Sequence, residues 1–320
     1  MYKAEYTYFC AKFLNSNMRL NLQNETNTLK AVILGTAINN GQPPQLNEAY
    51  DPKSREHIKA GTYPKEADMI KEIKSVKNIL QKHNIAVYQP EKIINCNQIF
   101  TRDIGFVVED KFIIANILPD RENEVKALQP ILDKIEPSKI IRMSEDCHIE
   151  GGDVMLADNY IFIGTYRGSD YPELITARTN QKAVEAMKKQ FPNKKIKSFN
   201  LRKSNDDPYN NALHLDCCFQ PVGKDAAIIH KNGFLEEEEY QWLVDFYGKS
   251  NIFEITKEEM YDMTSNIFSI SPGVVISDYH FSRLNTWLEN RNIQVEKVSY
   301  REIAKQEGLL RCSTLPLIRN

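Results

Sequence analysis

Four short stretches carry the residues best suited to chemistry: Phe100-Thr101-Arg102-Asp103, Glu150-Gly151-Gly152-Asp153, His214-Leu215-Asp216 and Leu309-Leu310-Arg311-Cys312-Ser313-Thr314-Leu315. Together they supply a soft nucleophile, one imidazole and several carboxylates. A thiol becomes nucleophilic near neutral pH once its pKa is lowered. An imidazole titrates in the right range to carry protons. Carboxylates can fix a planar cation through charge-assisted, bidentate hydrogen bonds. The set points to attack by Cys312 on a carbon held between carboxylates, and such chemistry needs neither a metal nor a cofactor.

Each residue also has a plainer reading. A lone buried cysteine is usually a small apolar filler, and a lone histidine is usually a hydrogen-bonded structural group. Gly151-Gly152 alone would be an ordinary turn, which Asp153 could brace. Arg102 reads as a salt-bridging residue of a pocket wall. Arg167, within Gly164-Thr165-Tyr166-Arg167-Gly168, is equally a carboxylate-binding residue or a solvated loop arginine. Cys217 and Cys218 read as core strand residues. Glu236 to Glu239 read as the acidic first turn of a helix.

The elements that must position these residues follow a repeating order. The first strand is Lys30 to Gly35, followed by a polar, Pro-containing loop through Gly41-Gln42-Pro43-Pro44. Ala67, Ile70, Ile73, Val76 and Leu80 predict a helix over about residues 64–83, and Ile85 to Tyr88 a strand. Hairpin, helix and strand then recur about every 50–60 residues, a period typical of propellers and arrays. The hairpins turn at Glu109-Asp110, Asp158-Asn159, Gly223-Lys224 and Pro272-Gly273. Helices are expected over about residues 121–135, interrupted by Pro130, then 173–190, 236–247 and around Phe281 to Leu288. The segment from Cys312 resembles the first strand of a fifth hairpin, whose partner would be strand 30–35. Closing the ring through its termini removes exposed edges. Asp103, Glu150, Asp153, His214, Asp216, Asn266 and Cys312 all sit at hairpin starts, positions that converge on the axis of a closed ring. One domain over residues 1–320 is expected, with residues 1–27 an irregular lead-in.

Composition restricts the class. The chain has 320 residues, 42% apolar and 26% charged, as in ordinary globular proteins. A net charge of −2 gives no electrostatic reason to expect nucleic acid or an anionic membrane. No apolar run approaches the ~20 residues of a membrane helix. The N-terminus lacks a secretory pattern, and Met18 is an alternative start to Met1. Six cysteines without a C-x-x-C pair argue against zinc and fit a reducing, cytoplasmic setting.

In these four motifs, in this order and with the cysteine last, the chain resembles the guanidino-group-modifying superfamily of arginine deiminases, amidinotransferases and dimethylarginine dimethylaminohydrolases. The resemblance covers roughly residues 28–320. It implies an α/β fold: a five-bladed α/β propeller of ββαβ units with pseudo-fivefold symmetry. It implies Cys312 as the nucleophile of a covalent thiouronium intermediate and His214 as general acid and base. Glu150 would contact the guanidinium and orient His214, while Asp103 and Asp216 hold its nitrogens. Asp153, Arg167 and Asn266 are further candidates for touching substrate. Arginine deiminases and amidinotransferases often carry a glycine-rich run before the cysteine; here Gln306-Glu307-Gly308-Leu309-Leu310 has one glycine.

The leading expectation is a hydrolase of the guanidino C–N bond of arginine or an arginine-like compound. The alternative is an amidinotransferase, in which an amine rather than water resolves the intermediate. A non-catalytic propeller, such as a ribosome anti-association factor, would have no need for Cys, His and Glu at equivalent hairpin starts. The expected partner is a small guanidino substrate, with neither nucleic acid nor membrane; a homo-oligomer is left open.

Overall fold

The computed structural model describes residues 18–320, so Cys10, Met1 and the first part of the expected lead-in lie outside the described residues. Among the described residues, fifteen strands form five three-stranded sheets. The strands are β1 (Leu29–Leu34), β2 (Ala86–Tyr88), β3 (Gly105–Val108), β4 (Lys111–Ile114), β5 (Ile140–Arg142), β6 (Val154–Ala157), β7 (Tyr160–Thr165), β8 (Lys195–Asn200), β9 (Phe219–Val222) and β10 (Ala226–Ile229). They continue as β11 (Ile252–Glu254), β12 (Phe268–Ser271), β13 (Val274–Asp278), β14 (Gln294–Val298) and β15 (Thr314–Arg319). In every sheet the middle strand pairs antiparallel with one neighbour and parallel with the other. The antiparallel pair needs a tight turn. The parallel pair needs a crossover long enough for a helix.

The turns are legible in the backbone. Glu109 and Asp158 adopt φ of 55° and 51°, the left-handed conformation that a two-residue hairpin favours, and Gly223, with φ of 68°, opens the three-residue loop between β9 and β10. The expected closure is present: β15 pairs antiparallel with β1, Leu315 opposite Ile33 and Thr314 opposite Leu34. The chain's last strand is thereby fixed to its first.

Helices α1 (Pro52–Lys59), α2 (Glu66–Lys82), α3 (Glu122–Lys126), α4 (Gln129–Leu132), α5 (Gln181–Gln190), α6 (Glu237–Tyr247), α7 (Lys257–Tyr261) and α8 (Ser282–Glu289) fill the connections. Of the apolar positions expected to face inward from α2, Ile73, Val76 and Leu80 are buried, whereas Ile70 is half-buried and Ala67 exposed; Met69 takes the inward place instead. Three expectations are corrected. The helix expected over 121–135 is two short ones, because Pro130 cannot donate and instead sits in the first turn of α4. The helix expected over 173–190 starts at Gln181, where Asn180 accepts the Ala183 N–H as a cap. The loop after Gly41-Gln42-Pro43-Pro44 leads into α1, capped by Asp51, whose carboxylate accepts the Ser54 N–H.

The described part of the lead-in carries no named element, yet residues 20–25 are tied down: Asn21 bridges Ile318, Leu22 bridges Glu109 and Asn24 bridges Ala157, touching three sheets in succession. Leu20, Leu22 and Glu25 are buried there. Each fully buried aliphatic side chain contributes about 1.5–3 kcal/mol, so this segment is part of the core.

Candidate active site

Cys312 ends the loop that precedes β15. Asn266 holds it: its Oδ1 accepts the N–H groups of Arg311 (2.9 Å) and Cys312 (3.1 Å), and its Nδ2 lies 3.1 Å from Cys312 Sγ. The Cys312 carbonyl accepts the Arg102 N–H at 3.0 Å, and the Ser313 and Thr314 hydroxyls bond back to Leu309 and Leu310. The thiol is therefore fixed by residues from three sheet connections.

His214 sits against Gly152. A Cβ there would lie 2.7 Å from the imidazole Cγ and Nδ1, so only glycine admits the ring. His214 Nε2 lies 2.7 Å from Glu150 Oε2, and Nδ1 lies 3.8 Å from Asp103 Oδ1. The backbone beside it is pinned twice: Lys203 Nζ donates to the Ala212 and Leu213 carbonyls (2.9 and 2.7 Å), and Asp153 accepts the Leu215 N–H (2.9 Å). Lys203 was not foreseen from the sequence, because a loop lysine carries no periodic signal.

Two further arginines were missed because both fell in stretches read as helix, 121–135 and 173–190, which gave them no partner. Arg178 Nη1 lies 3.2 Å from both Glu150 oxygens. Arg121 donates to Asp103 (3.1 Å), to both Glu124 oxygens (2.8 Å) and, at 3.5 Å, to Glu150. Asp103, Glu150 and His214 bring ligand atoms within 4.8 Å of one another. Two guanidinium groups already neutralise these carboxylates, which suits a divalent cation poorly.

Cys312, His214 and Asp103 line one cavity of about 710 Å³, together with Arg121, Arg178, Glu124, Phe100 and Gly308. Asp103 Oδ1 has no hydrogen-bond partner although it is closed to solvent. The lining also includes Asp51 and Glu307, with Asn211 donating to Glu307 at 2.7 Å. Residues 40–44, 47–51 and 94–97 complete it on the loops before α1 and β3.

The expected candidates divide. Asp103 faces the cavity as expected, and Glu150 lies directly behind His214. Asp216 does not line the cavity: it is fully buried, its Oδ2 taken by Arg311 Nη1 at 2.9 Å and lying 3.7 Å from Cys312 Sγ. Asp153 braces the turn before His214 and does not reach the cavity. Asn266 meets the nucleophile. Arg167 lies outside this cavity and pairs with the buried Glu239 at 2.5 Å.

Burial acts first on every charge here. It pushes the Cys312 thiol well above its ordinary range, and Asp216 and Asp103 push it further. It raises Asp103 against the pull of His214 and Arg121. Burial opposes charge on His214, yet Asp103 and the hydrogen bond to Glu150 raise its pKa overall. Burial likewise opposes charge on Glu150, but Arg178, His214 and Arg121 hold it well below the usual carboxylate range. The resting site thus pairs a protonated thiol with an imidazole inclined to hold its proton.

Among proteins of known structure, the amidinotransferase SxtG of Microseira wollei, from the saxitoxin biosynthetic pathway, superposes with a TM-score of 0.74 at 15% identity, over 94% of this chain and 97% of that one. In sequence, the uncharacterized protein YkgA of Bacillus subtilis is 28% identical over 242 residues, 75% of this chain and 77% of its own. An arginine deiminase of Bacillus cereus is 25% identical over 263 residues, 70% of this chain, which spans 62% of that enzyme. Fold and site define a guanidino-modifying enzyme. More narrowly, residues 47–319 match the family described as N,N dimethylarginine dimethylhydrolase, eukaryotic, and the chain belongs to it.

Proposed function

We propose that this protein is a cysteine-dependent hydrolase of the guanidino C–N bond of arginine or an arginine-like compound. The observation that carries the reading is the unpartnered Asp103 Oδ1, buried in the wall of the cavity that Cys312 and His214 share. A buried carboxylate oxygen left without a donor is unfavourable, and a substrate N–H is the donor it lacks.

The chemistry follows from the charges. A bound guanidinium beside Cys312 offsets Asp103 and Asp216, so the thiol proton can leave to solvent. The thiolate attacks the guanidinium carbon, and His214 passes its proton to the departing nitrogen. Loss of the amine leaves a thiouronium on Cys312. The now neutral His214 takes a proton from water as the water attacks that carbon; the C–S bond then breaks and the adduct's hydroxyl proton passes to the departing sulfur, releasing a ureido product and restoring the thiol. Glu150 orients His214 throughout.

The five sheets are, on this reading, the blades of one α/β propeller formed by a single domain, with the site on its axis. Five free cysteines among the described residues suit a reducing, cytoplasmic setting, and no helix among those residues is long and apolar enough to cross a membrane.

A second reading rests on the family match and on Asp216. With Asp216 held by Arg311 and outside the cavity lining, that carboxylate does not close on the terminal nitrogens, and an N-methylated guanidino group becomes an admissible substrate. Incubation with arginine, with and without glycine, tests the first reading. Ammonia released without an acceptor supports hydrolysis. A new guanidino compound that appears with glycine, and no ammonia without it, replaces hydrolysis with amidino transfer.

A further inference from the structure

Glu25 lies outside residues 47–319, in the segment that crosses three sheets. It is 3% exposed, and no site motif contains it. Its carboxylate faces three buried arginines. Oε1 lies 3.2 Å from Arg311 Nη2, Oε2 lies 3.8 Å from Arg102 Nη1, and Arg319 adds its charge nearby. Glu25 Oε1 also accepts the Leu156 N–H at 3.4 Å.

Arg311 is the link to the site. Its guanidinium lies between two carboxylates, with Nη2 toward Glu25 and Nη1 toward Asp216 at 2.9 Å. The Val154 carbonyl, 2.8 Å from Nη2, helps fix the plane of the group. The same Asp216 oxygen lies 3.7 Å from Cys312 Sγ. A guanidinium shared by two carboxylates neutralises each only in part. Asp216 therefore keeps negative charge on the side of the thiol.

We propose that Glu25 is a positioning residue that acts through Arg311, drawing part of its charge from Asp216 so that Asp216 restrains Cys312 until a guanidinium enters the cavity. The inference rests on the reading of Cys312 as nucleophile. Its consequence is a nucleophile held dormant as a thiol in the empty site and released by the cation it is to attack. Asp216 and Asp103 face the thiol as charges, Asn266 as a donor, and Tyr300 and Cys217 as nearby ionisable groups; His214 shares its cavity. Apart from Asp216, which Arg311 links to Glu25, none of these groups pairs with Glu25, so the effect can be isolated.

The test is the pH dependence of iodoacetamide alkylation at Cys312, read on the Cys312 peptide by mass spectrometry, alongside steady-state kinetics. In Glu25→Gln, Arg311 falls wholly to Asp216. Alkylation should then shift by about one pH unit toward acid, and KM should rise roughly tenfold with kcat far less affected, the scale of one charge at this range. A purely structural role would lower stability without moving the alkylation profile. Should Glu25→Gln not fold, Glu25→Asp withdraws the charge by one methylene, and a smaller shift in the same direction is expected. An unchanged profile in either folded variant overturns the proposal. Turnover persisting in Cys312→Ser would instead remove the reading of Cys312 as nucleophile, and leave the Glu25 alkylation result to be judged by itself.

Discussion

His214 Nε2 lies 2.7 Å from Glu150 Oε2, with both side chains closed to solvent. A charge-assisted hydrogen bond of this kind fixes both the orientation of the ring and the nitrogen that faces the reaction. Glu150 in turn is held by Arg178 and Arg121. The histidine is thus aimed by a carboxylate that two guanidinium groups keep ionised.

Glu150→Gln should keep the shape but lose the charge, leaving Arg178 without its buried counterion. General acid–base groups contribute about 10²–10⁴-fold, and kcat is expected to fall by at least the lower figure. Thermal melting will show a loss as well, since breaking a buried pair costs about 3–5 kcal/mol. A kcat within tenfold of the parent would remove Glu150 from the orienting role.

Cys312→Ser should fold normally, because the Asn266 bonds to the backbone of Arg311 and Cys312 do not involve the thiol. Turnover should disappear, and intact-mass measurement after quenching with arginine should show an adduct on the parent enzyme and none on the variant. Undiminished turnover would assign the attack elsewhere.

Gly152→Ala places a methyl group 2.7 Å from the imidazole. The ring must turn away from Glu150, and kcat is expected to drop by about 10²-fold or more, the share of a displaced acid–base group. Binding of substrate to the folded variant should change much less. Equal losses in kcat and in binding would mean that the whole wall, rather than the ring, had moved.

The pH profile of kcat/KM should fall on its alkaline side as His214 loses its proton. Burial opposes the imidazolium, but Asp103 and Glu150 raise its pKa above the usual value. The stability that this protonation contributes is present below the unfolded pKa of about 6.5 and is lost as pH rises through the folded one. Asp103→Asn removes the largest raising influence, so the alkaline limb should move to lower pH. A limb that stays in place would show that another group sets it.

Selectivity now depends on Asp103. Two carboxylates on the terminal nitrogens would favour an unsubstituted guanidino group by at least about a hundredfold. With Asp216 bound to Arg311, one such hydrogen bond remains at stake, and the preference for arginine over asymmetric dimethylarginine should shrink toward roughly tenfold. Steady-state rates on the two compounds decide it. A preference beyond a hundredfold would mean that Asp216 releases Arg311 when substrate binds.

The repeat of hairpin, helix and strand was legible because it is written in local signals: alternating apolar runs, turn residues such as Asp158-Asn159 and Gly223-Lys224, and the helical spacing of Ile73, Val76 and Leu80. The positions of Cys312, His214, Glu150 and Asp103 at equivalent hairpin starts were legible for the same reason, and so was the pairing of the last strand with the first. Tertiary structure alone decided which carboxylates are free. Asp103 and Asp216 look alike in sequence, yet one has an unpartnered oxygen in the cavity and the other is held by Arg311. Lys203 and Glu25 lie in irregular segments, and Arg121 and Arg178 early in stretches read as helix but not α-helical at those residues, so no periodicity marks any of them as buried. A charged residue there reads as solvated until the fold removes water from around it. Its partner is then whichever opposite charge the packing brings near, and a chain read residue by residue does not contain that distance.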